Sequence, residues 1–187
     1  YSTTGVLLGS VTVAGGTAND VDLEVAPENL TLNTGSISKG QLLLVNGETG
    51  VANIFAYSKS TGLVTDTLIT SFGSSHVVGG AYHELRNTFF LLQDNVPGVA
   101  LENMVAEIHP VTGATLNTFQ TTGVFDISFG DIEVGTNGNL FIVSSIQTGI
   151  AEYTPTGTLV KIHNLPAGVT DLSGIALDCN TNQAWVC

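Results

Sequence analysis

One short phrase recurs along this chain, and no other feature limits its fold as strongly. A turn glycine follows a Tyr or Ile in "YSTTG" (Tyr1–Gly5), "YSKSTG" (Tyr57–Gly62), "IHPVTG" (Ile108–Gly113) and "YTPTG" (Tyr153–Gly157). Successive glycines stand 57, 51 and 44 residues apart. A second anchor begins at Asp22 ("DLEV"), Gly80 ("GAYH"), Asp131 ("DIEV") and Gly174 ("GIAL"), with spacings of 58, 51 and 43. Two anchors that drift together to within one residue mark a true internal repeat.

Each unit reads as four short strands. The second anchor is the first strand, and a turn such as "GTNGN" leads to an apolar run: Leu42–Val45, Phe89–Leu92, Leu140–Val143 and Ala184–Val186. Continuous apolar runs of this length suit strands covered on both faces. A third strand ends at the Tyr/Ile position and a fourth follows the glycine. The connections hold Gly, Asn, Thr and Pro, the residues that supply turn geometry. No segment carries a 3.6-residue apolar period with caps, so the expectation is all-β. Four antiparallel strands repeated at this period are the signature of propeller blades. We expect a single domain over residues 1–187, with blades at 20–70, 78–121 and 129–165. A fourth blade is split between residues 172–187 and 1–13. The first blade carries an insertion, "PENLTLNTGSISKG", expected as a surface loop.

The strings "FGDIEVGTNGNLFIVSS…IAEYTPTGTLV" and "LSGIALDCNTNQAWV" resemble the blades of NHL-type and lactonase-like β-propellers. The resemblance covers essentially the whole chain. It implies a propeller architecture, and for lactonase-like members a metal held by converging Glu, Asn and Asp side chains. That set has no residue-by-residue match here. The blade pattern is shared by many unrelated functions.

Composition narrows the partners. Four Lys and Arg stand against sixteen Asp and Glu, a net charge of −12. This argues against nucleic-acid binding, which needs cations to replace phosphate counterions, and against a polybasic membrane patch. Only 11% of residues are charged, yet mean hydropathy is +0.32. Thr, Asn, Ser and Gly fill the polar surface instead, which leads us to expect a secreted or cell-surface protein in its mature form. No stretch approaches the roughly twenty apolar residues of a membrane helix.

Chemistry has few candidates. Asp22 with Glu24, and Asp131 with Glu133, alternate along first strands, which line the central channel of a propeller. Converging carboxylates there would suit Ca²⁺; otherwise no cofactor is expected. The other two units offer Gly80, Tyr82, Gly174 and Ala176 at the matching positions, so no ring of acids forms. His76, His83, His109 and His163 show no metal-binding spacing and read as structural. "GSSHVVGG" is no nucleophile elbow. Cys179 and Cys187 flank a hairpin whose register would pair Cys187 nearer Ile175, so a disulfide between them needs an irregular turn; free thiols are the other reading. Asn29 opens a glycosylation sequon, "NLT". Aromatic side chains, Trp185 included, are assigned to core strands, which disfavours a carbohydrate-binding stripe.

The repeats leave the fourth blade without a third strand. Tyr1 aligns with the last residue of third strands, whereas Cys187 ends a second strand. The apolar edge formed by Ala184, Trp185, Val186 and Cys187, with Tyr1 across the gap, should accept a strand from another chain or from a longer polypeptide. The expected function is therefore a non-catalytic scaffold that assembles with copies of itself into an oligomer or filament. The alternative is a metal-dependent lactonase or esterase-like enzyme.

Overall fold

The computed structural model describes residues 4–7, 10, 21–47, 50–73, 76–94, 102–178, 180–181 and 183–187. Among these residues there is no helix, hence none long and apolar enough to cross a membrane. The strands are β1 (Val21–Val25), β2 (Leu30–Leu32), β3 (Gly35–Ile37), β4 (Leu42–Asn46), β5 (Asn53–Tyr57), β6 (Val64–Ile69), β7 (Val77–His83) and β8 (Thr88–Gln93). They continue with β9 (Met104–Ile108), β10 (Thr115–Gln120), β11 (Gly130–Val134), β12 (Leu140–Ser144), β13 (Gly149–Tyr153), β14 (Leu159–Asn164), β15 (Ile175–Asp178) and β16 (Gln183–Val186).

Three four-stranded meanders follow chain order: β1-β4-β5-β6, β7-β8-β9-β10 and β11-β12-β13-β14. They are blades 1 to 3. Among the described residues the fourth sheet holds only β15 and β16, and the sheets do not close into a ring. Of the N-terminal segment expected to complete blade 4, residues 4–7 and 10 are in no strand, and Val6 and Leu7 are exposed. The rest of that segment, Tyr1 included, lies outside the described residues.

The repeated glycines have one cause. Gly5, Gly62, Gly113 and Gly157 all sit at positive φ, between 68° and 89°, a conformation a Cβ disfavours. At Gly113 a Cβ would also lie 2.0 Å from the Ile69 carbonyl oxygen of the preceding blade. The turn glycine therefore joins blades as well as strands.

The core lies between blades. One apolar cluster joins blade 1 (Leu43, Val45, Ile54) to blade 2 (Tyr82, Phe89, Leu91). A second joins blade 2 (Phe90, Leu92, Val105) to blade 3 (Ile132, Leu140, Ile142). A smaller third joins blade 3 (Val143, Ile150) to Ile175 of blade 4. Blade 2 is thus buried on both faces along β7, β8 and β9.

Two expectations need correction. The insertion in blade 1 is a hairpin, not a loop: β2 pairs with β3, and Leu30, Leu32 and Ile37 bury in the first cluster. Alternation of apolar and polar residues across the two-residue Asn33–Thr34 turn places one face inward, and Asn33 supplies the left-handed turn conformation at φ 51°. Trp185 is not a core residue. It is 66% exposed on β16, because among the described residues no further blade covers that face.

Candidate functional site

The first strands pack side by side, β1 against β7 and β7 against β11, with β15 beyond β11. They bring Asp22, Glu24, Asp131 and Glu133 to one cavity of about 210 Å³, walled also by Leu23, Val25, Ile132, Ile175 and Ala176. Glu24 and Glu133 reach from it into a wider mouth of about 570 Å³ with Lys39, His83 and Glu84. The four acids selected from the sequence are therefore neighbours.

Their immediate role is structural. The Gly80 amide donates to Asp22 Oδ2 at 3.0 Å, and the Ile175 amide donates to Asp131 Oδ2 at 2.9 Å. Each Asp thus ties its blade to the first strand of the next. The amides of Ile132 and Val134 donate to Asp131 Oδ1 and Glu133 Oε1. Burial favours the neutral acid, and it pushes Asp22 up to about 6, Glu133 to about 7, Asp131 to about 8 and Glu24 to about 9. For Glu24 the charges of Glu133, Asp22 and Asp131 add to the effect, whereas the backbone amides partly oppose it at every site. Among the described residues, no three His, Cys, Asp or Glu side chains are placed to hold a metal ion, so the residues do not fit the metal centre that the lactonase resemblance implies. The Ca²⁺ expectation has no ligand set here.

The matching of Gly80 and Tyr82 to the acids is off by one. The turn from β7 to β8 (84–87) is one residue shorter than that from β11 to β12 (135–139), so Gly79 opposite Leu92 and Ala81 opposite Phe90 occupy the places of Asp131 and Glu133. One residue of slip exchanges the faces of a strand. Tyr82 accordingly points into the first core cluster. In true register the first strands read Asp22, Gly79, Asp131, Gly174.

A second cavity of about 540 Å³ lies between blades 3 and 4, lined by Phe141, Ile150, Glu152, His163, Leu177 and Ala184. Glu152 Oε1 accepts from Asn137 Nδ2 (3.0 Å) and Asn139 Nδ2 (2.6 Å), and its Oε2 meets His163 Nε2 at 2.7 Å. The Asn139 hydrogen bond, with those of His163 and Asn137, holds this carboxyl below its usual range despite burial. Glu107 occupies the same place in blade 2, with Arg86 (2.7 and 2.9 Å) and Thr88 as partners. The signal for both was legible as a charged residue within an apolar third strand, "MVAEI" and "GIAEY", where blade 1 has Ala56. His163 is therefore a partner of a buried acid.

The remaining sequence candidates fall apart in space. Asn29 and Thr31 are exposed at the start of the β2–β3 hairpin, with Asn29 Oδ1 accepting the Lys39 amide. Cys187 is an exposed free thiol, paired through its backbone with Gly174, at the end of the hairpin remote from the turn after Asp178. Cys179 lies outside the described residues.

No family model and no curated protein matches this sequence. Solved structures do match in shape. A gluconolactonase from Xanthomonas campestris superposes with a TM-score of 0.59 at 15% identity, over 94% of this chain and 56% of its own. The fold is propeller-like. Hydrazine synthase from Kuenenia stuttgartiensis gives 0.57 at 10% identity, over 94% and 43%. A protein of unknown function from Bacteroides caccae gives 0.57 at 14%, over 75% and 50%. The chain spans about half the length of the solved structures it matches, and at these identities the likeness shows fold alone.

Proposed function

We propose that this chain is a non-catalytic, secreted or cell-surface propeller-like scaffold that acts by binding copies of itself. One observation carries the reading: β16 is an open edge. Gly174 and Cys187 exchange both backbone hydrogen bonds, which fixes the phase of the β15–β16 ladder. In an antiparallel pair the bonded positions alternate, so the amides and carbonyls of Ala184 and Val186 point away from β15. Among the described residues nothing pairs with them. An uncharged, apolar edge of this kind is a template for another strand. The sparse charge and Thr/Asn/Ser/Gly-rich surface support an extracellular setting. The scaffold needs no cofactor, and the acidic surface makes nucleic acid a poor partner.

Light scattering on the purified chain tests this. The expected result is a mass above 19.4 kDa that grows with concentration; a constant monomer mass contradicts it. The alternative, a metal-dependent lactonase, is supported by likeness of fold to the gluconolactonase. It would gain from one tightly held metal per chain that is lost in Asp131→Asn.

A further inference from the structure

The three blade junctions inside the molecule show what its two outer faces are built to meet. On second strands, the position facing the following blade is Leu43, Phe90, Phe141 and Trp185, opposite Glu24, Ala81, Glu133 and Ala176. Leu43 and Phe90 are fully buried there, and Phe141 is partly buried beneath the two-stranded blade 4. Trp185 holds the same position, and among the described residues no blade follows it. On first strands, the positions facing the preceding blade are Ile132 and Ile175 in blades 3 and 4, both buried. In blade 1 they are Leu23 and Val25, 59% and 48% exposed.

The junctions also alternate in chemistry. From blade 1 to 2 and from 3 to 4, an Asp carboxylate accepts the amide of the following first strand. From blade 2 to 3, a glycine takes the place of that Asp. A Cβ on Gly79 would stand 2.9 Å from Asp131 Cα and 2.7 Å from its Oδ1, so bare backbone is what lets the acidic strand approach. Blade 4 repeats this with Gly174, beside which a Cβ would meet only the Cys187 sulfur. Gly174 is thus the counterpart of Gly79, with the Cys187 sulfur at its Cβ position, and among the described residues no blade precedes the acidic first strand that carries Asp22.

We propose that a second copy of this chain stacks head to tail, its β1 lying on β15 and β16 as β11 lies on β7. This rests on the self-assembly reading above but seats the copy on the face of blade 4 and not along the β16 edge: Trp185 and Gly174 on one copy, Leu23, Val25 and Asp22 on the next. The two surfaces differ, so the contact is heterologous and propagates until a ring closes.

The test uses the intact chain carrying Trp185→Glu or Leu23→Glu, each alone and in equal mixture, with molar mass read by light scattering. Each variant spoils one surface and keeps the other. Alone, each is expected at the monomer mass; mixed, they form one good contact and stop at a dimer. In the wild type, Trp185 emission shifts to the blue as concentration rises. Trp185→Ser and Val25→Ser serve as milder replacements, with circular dichroism checking that each variant keeps its β-structure. A monomeric wild type overturns self-assembly itself. Wild type and both variants assembling alike overturns only this interface, as does a mixture that stays monomeric.

Discussion

Blade 2 and blade 4 use the same pattern of strands and turns, yet one is sealed and the other open. Every residue of β8 is buried, whereas β16 is exposed along all but Val186. Their second strands are similarly apolar, "TFFLLQ" and "QAWV", so hydrophobicity alone does not decide burial. The neighbour does. A propeller-like blade is a sheet with two apolar faces and cannot satisfy both by itself; among the described residues blade 2 has a blade on each side, and blades 1 and 4 each have one.

Matched substitutions sharpen that contrast. Phe90→Ala removes a side chain sealed between blades 2 and 3 and should cost about 3–5 kcal/mol. Trp185→Ala at the equivalent position of blade 4 should change the stability of the dilute chain by no more than about 0.5 kcal/mol. Denaturant melts of both settle it; equal losses would break the comparison. Next come the glycines. Gly79→Ala forces the β7 backbone away from Asp131 and should cost about 1–3 kcal/mol, while Gly174→Ala displaces only the end of Cys187 and should stay within about 0.5 kcal/mol. Smaller still is the pair of buried third-strand acids. Arg86→Gln strips Glu107 of its bidentate partner, for about 1–2 kcal/mol. His163→Gln leaves Glu152 with both asparagine amides, for about half that.

Charge gives a contrast of its own, between the channel and the third strands. The channel acids are pushed up to between about 6 and 9, from ordinary values near 4 when unfolded. Their stabilising contribution is complete below the unfolded value and is lost as pH rises through that window. Glu107 and Glu152 are held low by their partners, so their contribution is present above the ordinary carboxylate range and is lost as pH falls. The thermal midpoint should therefore peak on the acid side of neutrality, decline from about pH 4, where the unfolded carboxyls ionise, and level off by about pH 9. Glu24→Gln should flatten the alkaline limb. An unchanged slope would mean that the channel carboxylates are already ionised in the fold.

Much of this was legible in the sequence. The anchor glycines announced the repeat because one backbone conformation recurs at each, and the acids of the first strands were recognised as channel neighbours. Legibility failed where a single residue of register mattered. The β7–β8 turn, one residue shorter than its β11–β12 counterpart, moves Tyr82 from the channel to the core. It failed again where the neighbour decides: "AWV" reads as core in Trp185, and "LTLNTGSI" reads as loop until its leucines find a face to cover. Pattern within a segment reports which faces are apolar, but not which of them is covered.

On the proposed contact, Leu23 and Val25 of β1 and the exposed strand β16 are covered by another copy. Hydrogen exchange at two protein concentrations measures it directly. In dilute protein the amides of β7 to β9 should exchange slowest and those of Ala184 and Val186 fast; at high concentration β1 and β16 should slow, with β8 unchanged. Amides of β16 as protected as those of β8 in the dilute sample, or exchange that ignores concentration, would contradict the account.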